Sequence, residues 1–280
     1  MGCKPTRPLL RYHGGKWRLA EWIISHFPQH RMYVEPFGGA GSVLLQKRVS
    51  WGEIYNDLDG EIVNLFRVLR NQEDAQKLIH QLELTPYSRN EYNLSFEPDD
   101  DPVEQARRTI VRSLQGFGSS MMRPSRSGFL KLDPKTGSYV NSWARYPEQL
   151  KAIIKRLRHV SIEQLPALEL LQKYDAPEVL FYCDPPYTHD ERTSANTYRH
   201  EMDNAAHRAL AEVLHQAKGF VVLSGYPSDL YNELYGEWES FSVQSTTVGE
   251  RLANETIWLN PNTSKALESE RLPLFQMIQY

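Results

Sequence analysis

Residues 32–47 read MYV, then EPFGGAGS, then VLLQK. A short apolar run that breaks on three glycines and resumes with helical spacing is a strand, a tight turn and a helix. A unit of that kind commits the surrounding chain to helices layered on a sheet. The unit comes twice. Residues 53–56 form a second candidate strand ending at Asp57, and helical periodicity follows over residues 61–70. Ahead of both, residues 17–27 have helical spacing and stop before Pro28.

The pattern then changes and later returns. Residues 73–115 are helical with polar interruptions, and residues 116–139 are rich in Gly, Ser, Pro and Arg. Strand and helix alternate again over residues 159–162, 167–174, 179–183, 205–216, 220–224 and 230–235. A long irregular stretch inside an α/β pattern reads as an insertion. Residues 239–244 and 255–259 alternate enough to be antiparallel strands closing the sheet. The expected architecture is a doubly wound α/β unit made of residues 1–85 and 160–280, with residues 86–159 inserted.

Bulk properties narrow the setting. No window approaches the roughly 18 consecutive apolar residues of a membrane span, and MGCKPTRPLL has no apolar stretch long enough for a signal peptide. Cys3 and Cys183 lie far apart, which argues for a reducing cytoplasm and against a disulfide or zinc framework. The histidines show no metal-ligand spacing, so no metal is expected. The net charge is −3, yet residues 101–160 hold twelve Lys or Arg against four Asp or Glu. That local excess is the footprint of a lobe facing phosphates. A pair of helices with solvated basic faces, over residues 104–114 and 147–158, would give the same count.

Three strand ends carry candidate chemistry. In the first loop, Gly38, Gly39 and Gly41 let backbone amides approach a ligand, with Pro36 and Phe37 beside them. The order is not GxGxxG, because Leu44 stands where the third glycine would, so a dinucleotide is disfavoured. Glu35 suits a cationic ligand such as a sulfonium amino acid and would repel a pyrophosphate. Asp57 can accept hydrogen bonds from a ribose diol, or it caps the helix that follows. Near the N-terminus, RYHGGK places Lys16 after a Gly-Gly turn, where it could meet a ligand carboxylate, with Tyr12 against a ring or a sulfonium. A tight turn with an exposed lysine is the plainer reading.

The third strand end is Asp184-Pro185-Pro186-Tyr187, which follows the apolar run VLFYC. Prolines fix φ and give no N–H, so carbonyls near Asp184 and Pro185 can point into a pocket. A carboxylate oxygen and a carbonyl could then hold the two N–H groups of an exocyclic amine, with Tyr187 stacked on its ring. A strand ending in a Pro-Pro turn with a buried tyrosine remains open as the alternative.

Taken together and in this order, RYHGGK, EPFGGAGS, Asp57 and DPPY resemble the Dam-type DNA adenine N6-methyltransferases of bacteria and their phages. The stretches around Tyr198-Arg199-His200, His207-Arg208-Ala209-Leu210, Leu223-Ser224-Gly225-Tyr226 and Asn254-Glu255-Thr256-Ile257-Trp258 are similar to phage and prophage members. The resemblance implies a Rossmann-like, S-adenosylmethionine-dependent methyltransferase sheet with an inserted, mainly helical target recognition domain. It implies S-adenosylmethionine as methyl donor and S-adenosylhomocysteine as product, with double-stranded DNA as partner. A cytoplasmic monomer is expected, with at most weak dimerisation on DNA, in a restriction-modification or phage setting.

Carried over by motif, Tyr12, Lys16, Glu35, Pro36, Phe37, Gly39, Gly41, Asp57 and Asp184 would bind the cofactor. Asp184, Pro185 and Tyr187 would act on a flipped adenine. Arg112, Arg123, Arg126, Lys131 and Lys135, in the basic insertion, are the candidates for DNA contact. One departure stands out: many relatives have an acidic residue before the helix at Leu168, whereas this chain reads Gln164-Leu165-Pro166-Ala167. Two rival readings share the cofactor fold, an RNA or protein-amide methyltransferase and a non-catalytic DNA-binding protein. Relatives of the amide-modifying kind carry Asn where Asp184 stands.

Overall fold

The computed structural model describes residues 5–117, 128–131, 138–187, 201–246 and 252–277. In chain order they form α1 (Ala20–Ile24), β1 (Met32–Glu35), α2 (Ser42–Gln46), β2 (Gly52–Asn56), α3 (Gly60–Arg70), α4 (Gln72–Leu84), α5 (Arg89–Leu94) and α6 (Pro102–Gln115). Then come α7 (Ser138–Ala144), α8 (Tyr146–Leu157), β3 (Val160–Glu163), α9 (Ala167–Tyr174), β4 (Val179–Cys183) and α10 (Asn204–His215). The chain continues through β5 (Phe220–Gly225), α11 (Asp229–Tyr235), β6 (Glu239–Thr246), β7 (Leu252–Leu259) and α12 (Pro261–Met277).

All seven strands join one sheet in the order β3-β2-β1-β4-β5-β7-β6. Strands β1 to β5 pair in parallel, and β7 and β6 close the sheet antiparallel. This is the Rossmann-like, doubly wound sheet expected, with its switch point between β1 and β4.

Strand β4 shows why the sequence folds this way. All five of its residues are buried, so it needs helices on both faces. Side chains alternate across a strand. Leu180 and Tyr182 accordingly enter one core, with Leu44, Phe66, Ile110 and Leu150. Val179, Phe181 and Cys183 enter the other, with Leu170, Leu210, Leu214 and Trp258. Side chains of Asp59, Asn71, Ser88, Asp101, Asp203 and Ser228 cap the helices that follow them, each contributing about 1 kcal/mol. The helix expected over residues 17–27 shortens to α1. The Leu19 N–H reaches Lys16 O and the His26 N–H reaches Ile23 O, the three-residue spacing of turns.

The inserted stretch is helical but not separate. Helix α6 packs on α3 and α4, and α8 packs on α2, α3 and α4. Trp143 Nε1 donates to Thr85 O at 2.8 Å, and the Tyr146 hydroxyl donates to Leu9 O at 2.6 Å. The expected boundary at residue 86 therefore falls inside a continuous apolar core. Beyond α6, Phe117 N donates to Gly128 O and Leu130 N to Gln115 O, both at 2.8 Å, so Gly116 and Phe129 meet in an antiparallel bridge. Among the described residues, no helix is long and apolar enough to cross a membrane.

Candidate active site

At the carboxyl ends of the parallel strands, a cavity of about 280 Å³ is lined by Tyr12, Lys16, Glu35, Pro36, Phe37, Gly39, Asp57 and Asp184. Eight of the residues singled out from the sequence thus meet around one space. Leu58, Leu168, Met202 and Leu210 add apolar walls. Gly41, Pro185 and Tyr187 do not line it. Gly41 stands behind the loop in the left-handed conformation that starts α2, and Pro185 is buried.

The loop after β1 is shaped for close approach. Gly39 has φ +47°, and a Cβ there would lie 2.6 Å from the Tyr12 ring. Only glycine allows both. Asp57 Oδ2 accepts the Gly39 N–H at 2.8 Å and its Oδ1 accepts the Asp59 N–H at 2.8 Å. The helix cap considered for Asp57 belongs to Asp59, whose side chain takes the Glu61 N–H. Buried Asn56 ties the neighbouring strand ends together. Its Nδ2 donates to Pro36 O and Leu165 O, and its Oδ1 accepts the Leu165 N–H at 2.8 Å. That bonding fixes the loop ahead of α9 and presents Pro166, Ala167 and Leu168 to the cavity.

Two carboxylates face this space with spare capacity. Glu35 Oε2 accepts the Tyr33 hydroxyl at 3.0 Å and the Leu44 N–H at 3.2 Å, while Oε1 has no partner among the described residues. Burial pushes the Glu35 carboxyl up to about 8; the Tyr33 hydrogen bond opposes the shift and the Asp184 charge adds to it. Asp184 Oδ1 receives Lys16 Nζ at 2.9 Å, Ser224 Oγ at 3.0 Å and the Tyr187 hydroxyl at 3.3 Å. Its Oδ2 has none among the described residues.

Lys16 is not the exposed lysine of a tight turn. It is 4% exposed. Besides Asp184, its ammonium donates to Gly14 O at 2.8 Å and to the Tyr187 hydroxyl. It also stands 3.5 Å from Glu255 Oε1 and 4.8 Å from the centre of the Tyr187 ring. Tyr187 is 7% exposed and its ring packs against Tyr226, centroids 4.6 Å apart. Its hydroxyl donates to Glu255 Oε1 at 2.7 Å.

The sequence profile of the D12 class N6 adenine-specific DNA methyltransferases matches residues 12–250. The chain belongs to that family. Relatives include a DNA adenine methylase from Vibrio cholerae serotype O1, 27% identical over 79% of this chain and 81% of that protein. Another, from Escherichia coli K12, is 25% identical over 83% of this chain and 85% of that one. The type II methyltransferase M.MjaIII of Methanocaldococcus jannaschii is 24% identical over 89% and 93% respectively. A solved rRNA methylase from Streptococcus thermophilus superposes with a TM-score of 0.33 at 8% identity, over 87% of this chain and 94% of that one, a likeness too slight to bear on the fold.

As a D12 methyltransferase, the protein is an adenine-specific enzyme acting on DNA, and S-adenosylmethionine is the methyl donor the family implies. The DNA-contact residues divide. Arg112, expected at DNA, is 5% exposed, ion-paired with Glu61 and set over the Phe96 ring, so it fastens α6 to α3. Arg107, Arg108 and Arg156 are likewise bound to Glu104, Glu91, Asp99 and Glu53. The basic count of the insertion is thus partly taken up inside the methyltransferase. Lys131 is exposed, as are Arg145, Lys155 and Arg158. Arg123, Arg126 and Lys135 lie outside the described residues, as do Tyr198, Arg199 and His200.

Sequence reasoning missed Ser224, Asn56 and Glu255 as site residues. The one available signal was Glu255, a carboxylate in the otherwise apolar inward pattern of NETIWL.

Proposed function

We propose that Asp184 is the group around which methyl transfer to adenine N6 is organised, with its free Oδ2 as the acceptor for the amino group. The observation carrying this reading is that Lys16 and Ser224 donate to Oδ1, with the Tyr187 hydroxyl 3.3 Å away, which orients the carboxylate and leaves the second oxygen without a partner among the described residues, on a residue that lines the cavity. An N6–H bonded to Oδ2, with a backbone carbonyl near Pro185 as second acceptor, is held while the nitrogen becomes tetrahedral. Preorganised negative charge then meets the positive charge that develops there. A base inside a duplex cannot reach such a site, so the target adenine is flipped out. Tyr187 stacks on it only after the Lys16 ammonium or Tyr226 leaves its ring.

The cavity fits the implied donor. Glu35 Oε1, without a partner among the described residues, suits a cationic amino-acid end, and Asp57 suits the ribose hydroxyls. Tyr12, Pro36, Phe37 and Gly39 shape the cradle, and Leu58, Leu168, Met202 and Leu210 offer apolar walls to a purine. When bound, S-adenosylmethionine supplies an electrophilic methyl group on its sulfonium. Lys16, expected at the cofactor carboxylate, is better supported as a partner of Asp184. For DNA, residues 86–159 remain the proposed recognition segment, with Lys131, Arg145, Lys155 and Arg158 on its outside joining Arg123, Arg126 and Lys135 as phosphate contacts. The enzyme works in the cytoplasm, beside bacterial or phage DNA.

Replacing Asp184 by Ala is expected to lower transfer of tritiated methyl groups to duplex DNA by about 10³-fold or more, with thermal stability retained. Wild-type rates in that variant sink the assignment. Replacing Arg145 and Lys155 by Ala should reduce the slope of log affinity against log salt by about 0.9 for each phosphate no longer neutralised. An unchanged slope takes that face of α8 out of the interface.

A further inference from the structure

Glu255 comes to the reaction edge by topology. Strand β7 runs against β5, with Gly225 opposite Thr256. The first half of β7 therefore lies at the same edge of the sheet as the ends of β4 and β5. Glu255 is 3% exposed there. Its Oε1 takes the Tyr187 hydroxyl at 2.7 Å and stands 3.5 Å from Lys16 Nζ. Lys16 donates to Asp184 Oδ1 and to the Tyr187 oxygen, and that oxygen lies 3.3 Å from Asp184 Oδ1 with its own proton on Glu255.

We infer that Glu255 is a positioning residue for methyl transfer: by taking the Tyr187 proton it turns the phenolic oxygen to Lys16 as an acceptor, and so holds the ammonium where it fixes the orientation of Asp184. The inference rests on the proposed role of Asp184. A buried carboxylate is costly unless it is paired and hydrogen-bonded, and nothing in the packing of β7 requires a charge at this position, since Thr256, Ile257, Trp258 and Leu259 after it are all buried without one. Burial pushes the Glu255 carboxyl above its ordinary value; Lys16 counters this and Asp184 reinforces it. What the charge provides is a second counter-ion. One ammonium lies between two carboxylates, and when Lys16 leaves the Tyr187 ring to admit a base, Glu255 keeps it within reach of Asp184. Without Glu255, the Tyr187 proton would turn to Asp184 Oδ1 and compete there with Lys16, so the carboxylate would shift from the orientation that the ammonium sets. A misplacement of about 1 Å at a reacting group can cost on the order of 10²-fold.

The test compares the full-length protein with Glu255→Gln and Glu255→Asp. Single-turnover transfer to duplex DNA is measured alongside equilibrium binding of S-adenosylmethionine and DNA, and the thermal midpoint. Glu255→Gln is expected to slow transfer about tenfold or more with both affinities within about twofold of wild type, and Glu255→Asp to restore part of the rate. A Lys16→Met, Glu255→Gln double variant should lose less than the product of the two single losses, because both act through Asp184. Wild-type transfer by Glu255→Gln overturns the inference, as does an equal loss of rate and cofactor affinity. If Glu255→Gln does not fold, Glu255→Asp decides: a slower rate at an unchanged midpoint supports positioning, and a wild-type rate overturns it. Should the wild-type chain itself fail to methylate adenine in DNA, the role of Asp184 falls first, a result distinct from a wild-type rate in the variant.

Discussion

Two buried lysines of this chain each bind a carboxylate, at opposite ends of the same sheet. At the amino end, Lys47 gives its protons to Glu53 Oε1 at 2.6 Å, Ser50 Oγ at 2.7 Å and Arg48 O at 2.7 Å. Arg156 completes the set, with Nη1 2.5 Å from Glu53 Oε2 and Nη2 2.9 Å from Oε1. Both oxygens of Glu53 are taken. At the carboxyl end, Lys16 binds Asp184, yet Asp184 keeps one oxygen without a partner among the described residues and lines a cavity. The same pair of residue types is closed and cation-rich in one place and open and anion-rich in the other. Burial and pairing alone do not mark a site; spare hydrogen-bonding capacity beside open volume does.

The largest expected difference between the two clusters is in what their loss costs. Removing Glu53 leaves Lys47 and Arg156 buried without their anion, and breaking such a set typically costs about 3–5 kcal/mol. Glu53→Ala should therefore unfold at markedly lower denaturant while what remains folded keeps its cofactor affinity. Asp184→Ala should show the reverse, near wild-type stability with transfer abolished. Denaturant titrations of both variants, read beside methyl-transfer rates, would break the comparison if Asp184→Ala proved the less stable of the two.

How far the fold and the site are legible in the sequence depends on the range of the signal. The cavity-facing loops carry theirs locally: three glycines in a row of four, an acid at each strand end, two prolines after an apolar run. Glu255 and Ser224 do not. Ser224 stands beside Asp184 because β5 pairs in parallel with β4, and Glu255 because β7 returns antiparallel to β5, registers that no local pattern encodes. The basic insertion misleads for a related reason. Arg107 and Arg108 pair mainly with nearby acids, but Arg112 finds Glu61 and Arg156 finds Glu53, 51 and 103 residues away. A charge count along the chain cannot see a partner brought in by packing. The same packing carries α6 and α8 into the core of the catalytic sheet, across the boundary that composition alone draws at residue 86.

The smaller expected effect concerns pH, and it sets Glu35 against Glu53. Burial raises Glu35 to about 8 from 4.5, whereas at Glu53 burial is outweighed by Arg156 and Lys47 and the carboxyl lies below 4.5. An acid raised on folding binds more protons folded than unfolded, so Glu35 erodes the stability of the ligand-free protein as pH rises from about 4.5 to about 8. Glu53 does the opposite: its contribution is present above its unfolded value and disappears as pH falls through its folded one. Glu35→Gln should accordingly flatten the loss of stability on the alkaline side, and Glu53→Gln the loss on the acid side. A cation seated beside Glu35 favours its ionised form, so affinity for S-adenosylmethionine should rise by about tenfold per unit below that value and level off above it. In Glu35→Gln that slope should vanish. An affinity that is flat between about pH 6 and about pH 9 in the wild type would mean that Glu35 is already ionised before the ligand arrives. The open cluster would then hold its charge as tightly as the closed one.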